Sequence, residues 1–432
     1  MVGRVLKIRG VRTPHPEVDV PRQHGPGGVV RPSPRAVTAG LISLLAVAAT
    51  SLVAGPAAAA TGAAAACALP RTVAHHSLGL DEWNGAYPRP DHPLDAVMVF
   101  LSFPDARPVT TPAELTADHF PATTRFFQRA SYGKFTLRPH PQKRWIQMPE
   151  PSVRYGIRRD WSSERRSAYL HDAIDAADPE VDFSKYDIVY LVADPDAPGV
   201  DSDATKVVNF DQPLHADGTN IRRVVTVFEQ HPPDHNVLAH ETGHVFDLPD
   251  LYHRPSDGKG DWDTYVGDWD VMGSQFGLAP DLFGWHKWKL GWLDDRQVIC
   301  VQSDRVITLE PMAAVPVPGA SIGTRLAVIR TGEGSAVAIE ARSATGNDRS
   351  TCGEGVLLYR VRNETPSGGG PVDVIDTHPG TDACWGQSVY PPLADAPLRV
   401  GETFSVPGGH TAIEVADRTP SGAWTVRITT GT

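Results

Sequence analysis

The 432-residue chain is long enough for two domains. Its composition, 41% hydrophobic and 21% charged, is typical of a globular protein and excludes global disorder. The formal net charge of −11, without a dense stripe of Lys and Arg, disfavours binding to nucleic acid and stable association with anionic membranes.

An uncharged, mostly apolar run occupies residues 38–55, after Arg31 and Arg35 and before a stretch of small residues at 56–66. This order is typical of a secretory signal. A membrane anchor is the alternative, because the run approaches the roughly 20 residues that span a bilayer. Its richness in Ala, Ser and Thr favours cleavage, so we predict a leader over residues 1–66 and a secreted, extracellular protein.

The next segments differ in their periodicity. Residues 67–95 lack it, which predicts an N-terminal arm or linker. Residues 96–295 alternate apolar strand-like runs with helical spacing, which is typical of an α/β (α+β) layer architecture. The predicted strands are 96–103, 186–192 and 223–228 with another after residue 134, and the predicted helices are 111–129, 163–177 and one that carries Trp285, Trp288, Leu290 and Trp292.

After Cys300 the pattern changes to short β-rich runs separated by Gly, Pro, Ser and Asn. Helical periodicity is nearly absent from this part of the chain. We therefore predict an all-β, sandwich-like domain over residues 300–432. Its clearest strands are 305–309, 324–329, 336–341, 355–362 and 424–429.

An H-E-x-x-H motif carries the chemistry of the first domain. On a helix, His240 and His244 project from one face and can share a zinc ion. Glu241 lies beside them and can take a proton from the attacking water. For an isolated motif the alternative is a surface helix with two solvated histidines. Val237 and Leu238 give this helix an apolar flank to bury. Because the residues that follow it, described below, agree with the motif, we predict a catalytic zinc ion.

A catalytic zinc needs a third protein ligand. The next glutamate is Glu310, in the β-rich tail, which argues against a glutamate from a second helix. A sharp turn can instead return Asp250, six residues after His244. His253 and Asp247 are alternative ligands, and a plain turn residue is the alternative role for Asp250.

A second motif, Gly267-Asp-Trp-Asp-Val-Met-Gly-Ser274, follows downstream. A methionine in a tight turn below the metal marks the metzincin proteases, and Met272 is placed for that role. An isolated methionine is ordinary core filler. At this distance after the histidine motif, the turn interpretation is favoured.

Three runs, HETGHVFDLPDLY, GDWDVMGS and FGWHKWKLGWL, together resemble the immune inhibitor A family of secreted bacterial metalloendopeptidases. The early FLSFPD and SYGKF segments are similar to the start of the same catalytic domain. The resemblance covers about residues 96–295 and extends more loosely to the β-rich tail.

This resemblance implies a metzincin-like zinc protease fold and activity on protein or peptide substrates. We expect the protein to be a monomer. It implies His240, His244 and Asp250 as zinc ligands, Glu241 as general base and Met272 in the Met-turn.

One departure from the family pattern lies at the turn after the motif. The family has glycine where this chain has Asp247. Glycine adopts positive φ freely, whereas aspartate does so at a modest cost.

The four cysteines contain no C-x-x-C pair. Nearness in sequence pairs Cys352 with Cys384 and leaves Cys67 for Cys300. Such disulfides need an oxidising compartment. The alternative is a free Cys67 thiolate that binds the zinc and keeps the enzyme latent.

Acidic loops are candidate calcium sites, because calcium takes several oxygen ligands. Neither loop has EF-hand spacing. The two groups are Asp194, Asp196, Asp201 and Asp203, and Asp257, Asp261, Asp263 and Asp268.

Two other functions compete with an active protease. The first is a catalytically silent zinc-binding adhesion or interaction protein, against which the intact Glu241 argues. The second is a binding module in which Trp385 and Tyr390 of the tail line a sugar or protein surface. Isolated aromatic residues are more often part of a core.

Overall fold

The computed structural model describes residues 64–431, except 74–75, 235, 257–258, 317–322 and 408–410. The apolar run of the predicted leader lies outside the described residues. All described residues belong to one compact unit. Within the described ranges, no helix is long and apolar enough to cross a membrane.

Helices and strands alternate in the first part of the chain, and strands dominate the second. The helices are α1 Pro112–His119, α2 Ala122–Ala130, α3 Ser152–Tyr155, α4 Ser163–Ala177, α5 Val237–Val245 and α6 Gly284–Lys289. The strands are β1 Leu94–Ser102, β2 Leu137–Gln147, β3 Ile188–Ala193, β4 Lys206–Ala216, β5 Thr219–Val227, β6 Val298–Cys300, β7 Arg305–Leu309, β8 Leu326–Arg330, β9 Ser335–Arg342, β10 Gly355–Arg362, β11 Val372–Val374, β12 Thr403–Ser405, β13 Thr411–Arg418 and β14 Trp424–Thr430.

The first sheet is mixed, with the strand order β2-β1-β3-β5-β4. Its first four strands are parallel, and β4 pairs with β5 in the antiparallel sense. Both faces are covered. Val97 and Leu101 of β1 pack in the cluster that contains α4, whereas Met98 and Phe100 pack in the cluster that contains α2 and α5. Burial on both faces explains why β1 is a continuous apolar run.

The long helix predicted over residues 111–129 is wrong in one respect, because the structure has α1 and α2 in its place. Phe120 between them is extended, with φ −116° and ψ 140°. Pro121 causes the break: its ring disfavours helical geometry at the preceding residue, and it has no backbone N–H to donate.

Two further sheets form the second part of the chain, in the orders β11-β10-β9-β8-β6 and β12-β13-β14-β7. The strand β9 shows how they pack. Val337 and Ile339 lie in the cluster between the two sheets, whereas Ala336 and Ala338 belong to the same cluster as α2 and α5. The sheet containing β9 is therefore covered on both faces, and the apolar core continues from the first part of the chain into the second.

Most of the strands that the sequence did not predict are short or partly exposed. The edge strand β4 has the sequence KVVNFDQPLHA and is partly exposed, so it lacks a clear apolar pattern. The predicted helix around the tryptophans is shorter than expected, since α6 ends at Lys289 and Gly291 adopts φ +75°. A left-handed glycine of this kind commonly follows a helix.

A buried ionic network joins β9 to the segment before α6. Arg342 has no exposed side-chain surface and donates to Glu340 and Asp348, each at 2.7 Å. It also donates to the backbone oxygens of Trp269 and Asp281, at 2.9 and 3.1 Å. A buried guanidinium is tolerated only when it is paired and hydrogen-bonded in this way.

We expect Arg342→Met to lower the free energy of unfolding by about 3–5 kcal/mol, because two buried carboxylates lose their counterion. Urea titration followed by circular dichroism measures the change. Arg427→Met is the matched control. Arg427 lies 2.7 Å from Glu414, but both side chains are exposed, so this variant should lower the free energy of unfolding by less than about 1 kcal/mol. Equal losses for the two variants would contradict a structural role for the buried network.

Candidate metal centre

Packing holds helix α5 against the first sheet. Leu238, Ala239 and Val245 of this helix belong to the core. The hydroxyl groups of Thr242 and Tyr190, the latter on the central strand β3, are 2.8 Å apart and hydrogen-bonded. The side chains of the H-E-x-x-H motif therefore project from a helix with a fixed position.

The turn after α5 is a Schellman motif. The N–H of Leu248 donates to Gly243 O, and the N–H of Asp247 donates to His244 O, both at 3.1 Å. Asp247 stands where glycine is usual and adopts φ +63°. The left-handed turn thus forms without glycine, and the chain returns so that Asp250 lies beside the helix.

Hydrogen bonds fix the lone pairs of the two histidine rings. Nδ1 of His240 lies 2.8 Å from Val271 O, and Nδ1 of His244 lies 2.8 Å from Leu248 O. A carbonyl oxygen only accepts, so each Nδ1 donates, and when the ring is neutral its Nε2 carries the lone pair. Both Nε2 atoms face Oδ1 of Asp250, at 3.2 and 3.0 Å.

This arrangement fits a metal ion. Bonds of roughly 2.0–2.2 Å in tetrahedral zinc place neighbouring ligand atoms roughly 3.3 Å apart. Oδ1 of Asp250 is buried and has no hydrogen-bond partner among the described residues. Three lone pairs directed at one point repel one another unless a cation lies between them. His240, His244 and Asp250 could therefore hold a cation together.

Glu241 follows His240 on the same helix and lines the same cleft. Its side chain is buried, and Oε2 has no hydrogen-bond partner in the described part of the chain. Burial raises the pKa of Glu241. A carboxylate with a raised pKa and an available oxygen is suited to accepting a proton and returning it.

The turn that contains Met272 packs directly against α5. A Cβ atom added to Gly243 would lie 2.4 Å from Sδ of Met272, so this glycine makes room for the methionine. Asp270 holds the turn, because its Oδ1 accepts from Met272 N at 2.8 Å and its Oδ2 accepts from Phe283 N at 2.7 Å. Met272 O in turn accepts from the N–H of Leu251, at 2.9 Å.

The two acidic groups considered for calcium do not converge in the same way. Across the described ranges, His240, His244 and Asp250 are the one group of three or more His, Cys, Asp or Glu side chains whose ligand atoms lie within 4.8 Å of one another. Asp257 lies outside the described residues. Calcium binding stays a prediction from the sequence.

A cleft of about 480 Å³ opens at the candidate ligands. Two of the residues that line it, Tyr252 and His76, lie beside the histidine rings and were given no role by the sequence analysis. The ring of Tyr252 stacks with that of His240, with centroids 6.5 Å apart, and a local signal existed because Tyr252 belongs to the motif run. The ring of His76 lies 5.3 Å from that of His244. No sequence signal identified His76, because the arm that carries it has no periodicity.

Both disulfides expected from the cysteine positions are present, Cys67–Cys300 and Cys352–Cys384. Cys67 is therefore bonded to sulfur and is not available as a thiolate ligand. Disulfides persist in oxidising environments such as the extracellular space. The Cys67–Cys300 bond also attaches the N-terminal arm to β6 of the β-rich part.

Comparisons with known proteins add little. No family model matches the chain, and no curated protein matches it. One matching solved structure is catalytically inactive OgpA from Akkermansia muciniphila in complex with an O-glycopeptide (glycodrosocin) substrate. It is 12% identical and covers 62% of this chain and 75% of its own, with a TM-score of 0.22. A likeness at this level supports neither the fold nor the activity of this chain.

Asp247 ties three segments together just below the candidate ligands. Its carboxylate has no exposed surface and accepts from Arg71 of the arm at 2.9 Å and from Lys289 of α6 at 3.0 Å. His76 lies 3.6 Å from its other oxygen. Burial raises the pKa of Asp247, but these three neighbours outweigh that effect and bring the pKa to about 2. The carboxylate is therefore charged at neutral pH.

We expect Asp247→Gly to destabilise the protein, although glycine suits the turn. Relief of the left-handed aspartate gains about 1–2 kcal/mol, but loss of the counterion of buried Lys289 costs about 3–5 kcal/mol. Guanidinium unfolding should show a net loss of about 1–4 kcal/mol. The double variant Asp247→Gly, Lys289→Met should recover most of it, and a single variant as stable as the wild type would contradict this account.

Proposed function

We propose that this chain is a secreted zinc-dependent metalloendopeptidase that hydrolyses peptide bonds in proteins or peptides. One observation carries the proposal: the Nε2 atoms of His240 and His244 approach Oδ1 of Asp250 beside Glu241. Nitrogen and carboxylate donors in this number are typical of catalytic zinc sites that keep one position open. The two disulfides support an extracellular location.

Zinc, when bound, supplies a Lewis acid that lowers the pKa of water and polarises a carbonyl group. The residues of the chain supply the rest of the chemistry. His240, His244 and Asp250 hold the ion. Glu241 takes a proton from the attacking water as the oxygen bonds to the peptide carbon. It then gives a proton to the leaving nitrogen as the carbon–nitrogen bond breaks.

The alternative is a zinc-binding adhesion or interaction protein without activity. Glu241 argues against it, because a purely structural site does not need a buried carboxylate with an available oxygen. A binding role for the tail has less support, because its two proposed aromatic residues do not form one exposed surface. Trp385 is 73% exposed, whereas Tyr390 packs against the core.

Glu241→Gln tests the proposed general base. Glutamine keeps the shape of the side chain but cannot accept the proton, so casein hydrolysis should fall by about 10²–10⁴-fold while zinc content stays that of the wild type. Glu229→Gln is the matched control in the same cleft: Glu229 Oε2 already accepts from Asp234 N at 3.2 Å. That variant should keep most of its activity. Near wild-type turnover in Glu241→Gln would show that another group is the base.

Asp250→Ala tests the proposed third ligand. Loss of a residue that only hydrogen-bonds a ligand typically weakens metal binding by about 10–100-fold. Loss of one of the three ligands themselves should weaken zinc binding by more than this, as measured by competition with a chromogenic chelator. Asp263→Ala removes another carboxylate of the same cleft and should leave the zinc affinity unchanged.

The alternative to a bound cation is a proton shared between Asp250 and the rings of His240 and His244, which would also relieve the repulsion between these groups. A wild-type chain that binds no zinc would support that account against ours.

A further inference from the structure

A loop of the β-rich part lies along the segment that carries the candidate third ligand. We call residues 366–370, between β10 and β11, the glycine loop, and residues 250–254 the ligand loop. The two run antiparallel, with a bridge between His253 and Gly369. Three backbone hydrogen bonds join them: Gly368 N to Asp250 O at 3.1 Å, Arg254 N to Gly368 O at 2.9 Å, and Gly370 N to Tyr252 O at 3.2 Å.

Ser367 of the glycine loop binds Asp250 twice. Its hydroxyl donates to Oδ2 of Asp250 at 3.1 Å, and it accepts from the N–H of Asp250 at 2.9 Å. These bonds fix both the backbone and the carboxylate of the same residue. Since the hydroxyl engages Oδ2, rotation of the carboxylate is restricted and Oδ1 is the oxygen that faces the two histidines.

The glycine loop has the conformation that this contact needs. Gly370 adopts φ +72°, and a Cβ atom there would lie 3.0 Å from the ring of Tyr265. A side chain at this position would therefore displace either the glycine loop or the ring of Tyr265. Arg362 of β10 also donates to Gly370 O, at 3.0 Å. The position of Ser367 is thus set by the β-rich part.

We propose that Ser367 is a positioning residue of the zinc site and that the β-rich part is therefore a component of that site. The inference rests on the proposed function, because it assumes that Asp250 is a ligand. Groups that hydrogen-bond a ligating carboxylate orient it, and their loss typically weakens metal binding by about 10–100-fold. Ser367 acts through Asp250 and does not contact substrate in this account.

Three variants test the inference through zinc affinity, measured by chelator competition. Ser367→Ala removes the hydroxyl and should weaken zinc binding by about 10–100-fold. Ser367→Thr keeps a hydroxyl and should restore most of the affinity. Ser388→Ala is the matched control, because Ser388 donates to the carboxylate of Asp268 at 2.6 Å but Asp268 is not a candidate zinc ligand. Its zinc affinity should equal that of the wild type.

The outcomes separate this inference from the proposed function. Equal zinc affinity in the wild type and Ser367→Ala contradicts the inference and leaves the proposed function intact. Equal weakening in Ser367→Ala and Ser388→Ala also contradicts it, since loss of any such contact would then act through general stability. Urea unfolding with a chelator present detects that general effect directly. A wild-type chain that binds no zinc contradicts the proposed function and the inference together.

Discussion

At the candidate metal centre, two ring nitrogens and one carboxylate oxygen direct their lone pairs at one another. Without a cation or a shared proton between them, such a contact is repulsive for neutral rings and a charged carboxylate. The surrounding structure fixes the positions of these atoms. Two backbone oxygens, Val271 O and Leu248 O, fix the rings through Nδ1. The turn with Met272 and the turn after α5 therefore both serve the same three atoms.

The same need to compensate buried charge appears on either side of this centre. Asp247 is paired with Arg71 and Lys289, which joins the arm, the turn after α5 and helix α6. Arg342 is paired with Glu340 and Asp348 and also donates to Trp269 O, three residues before Met272. Because a lost partner leaves an uncompensated buried charge, these pairs restrict how the segments can move apart. The rigidity of the centre thus depends on residues from the arm and from both parts of the chain.

The success of the sequence predictions follows from how each element is buried. Strands covered on both faces, such as β1, appear as continuous apolar runs, and α4 was found at its observed bounds because its buried residues recur at helical spacing. The edge strand β4 is partly exposed and has no such pattern. The break between α1 and α2 had a local signal in Pro121, although the apolar spacing on either side favoured one long helix.

The sequence by itself determined the part of the centre that one helix carries. His240, Glu241 and His244 lie within five residues, and helix geometry alone places both histidines on one face. The turn residues that follow are close enough in sequence to nominate Asp250, but with Asp247 and His253 as alternatives.

Only the tertiary structure shows which of these three residues lies beside the histidines and which groups hold it there. It directs Asp250 to the histidines, whereas Asp247 pairs with Arg71 and Lys289. Ser367 is 117 residues from Asp250, and Arg71 is 176 residues from Asp247. Contacts over such separations leave no periodic or local pattern in the chain. They arise from the packing of distant segments, which the order of residues does not display.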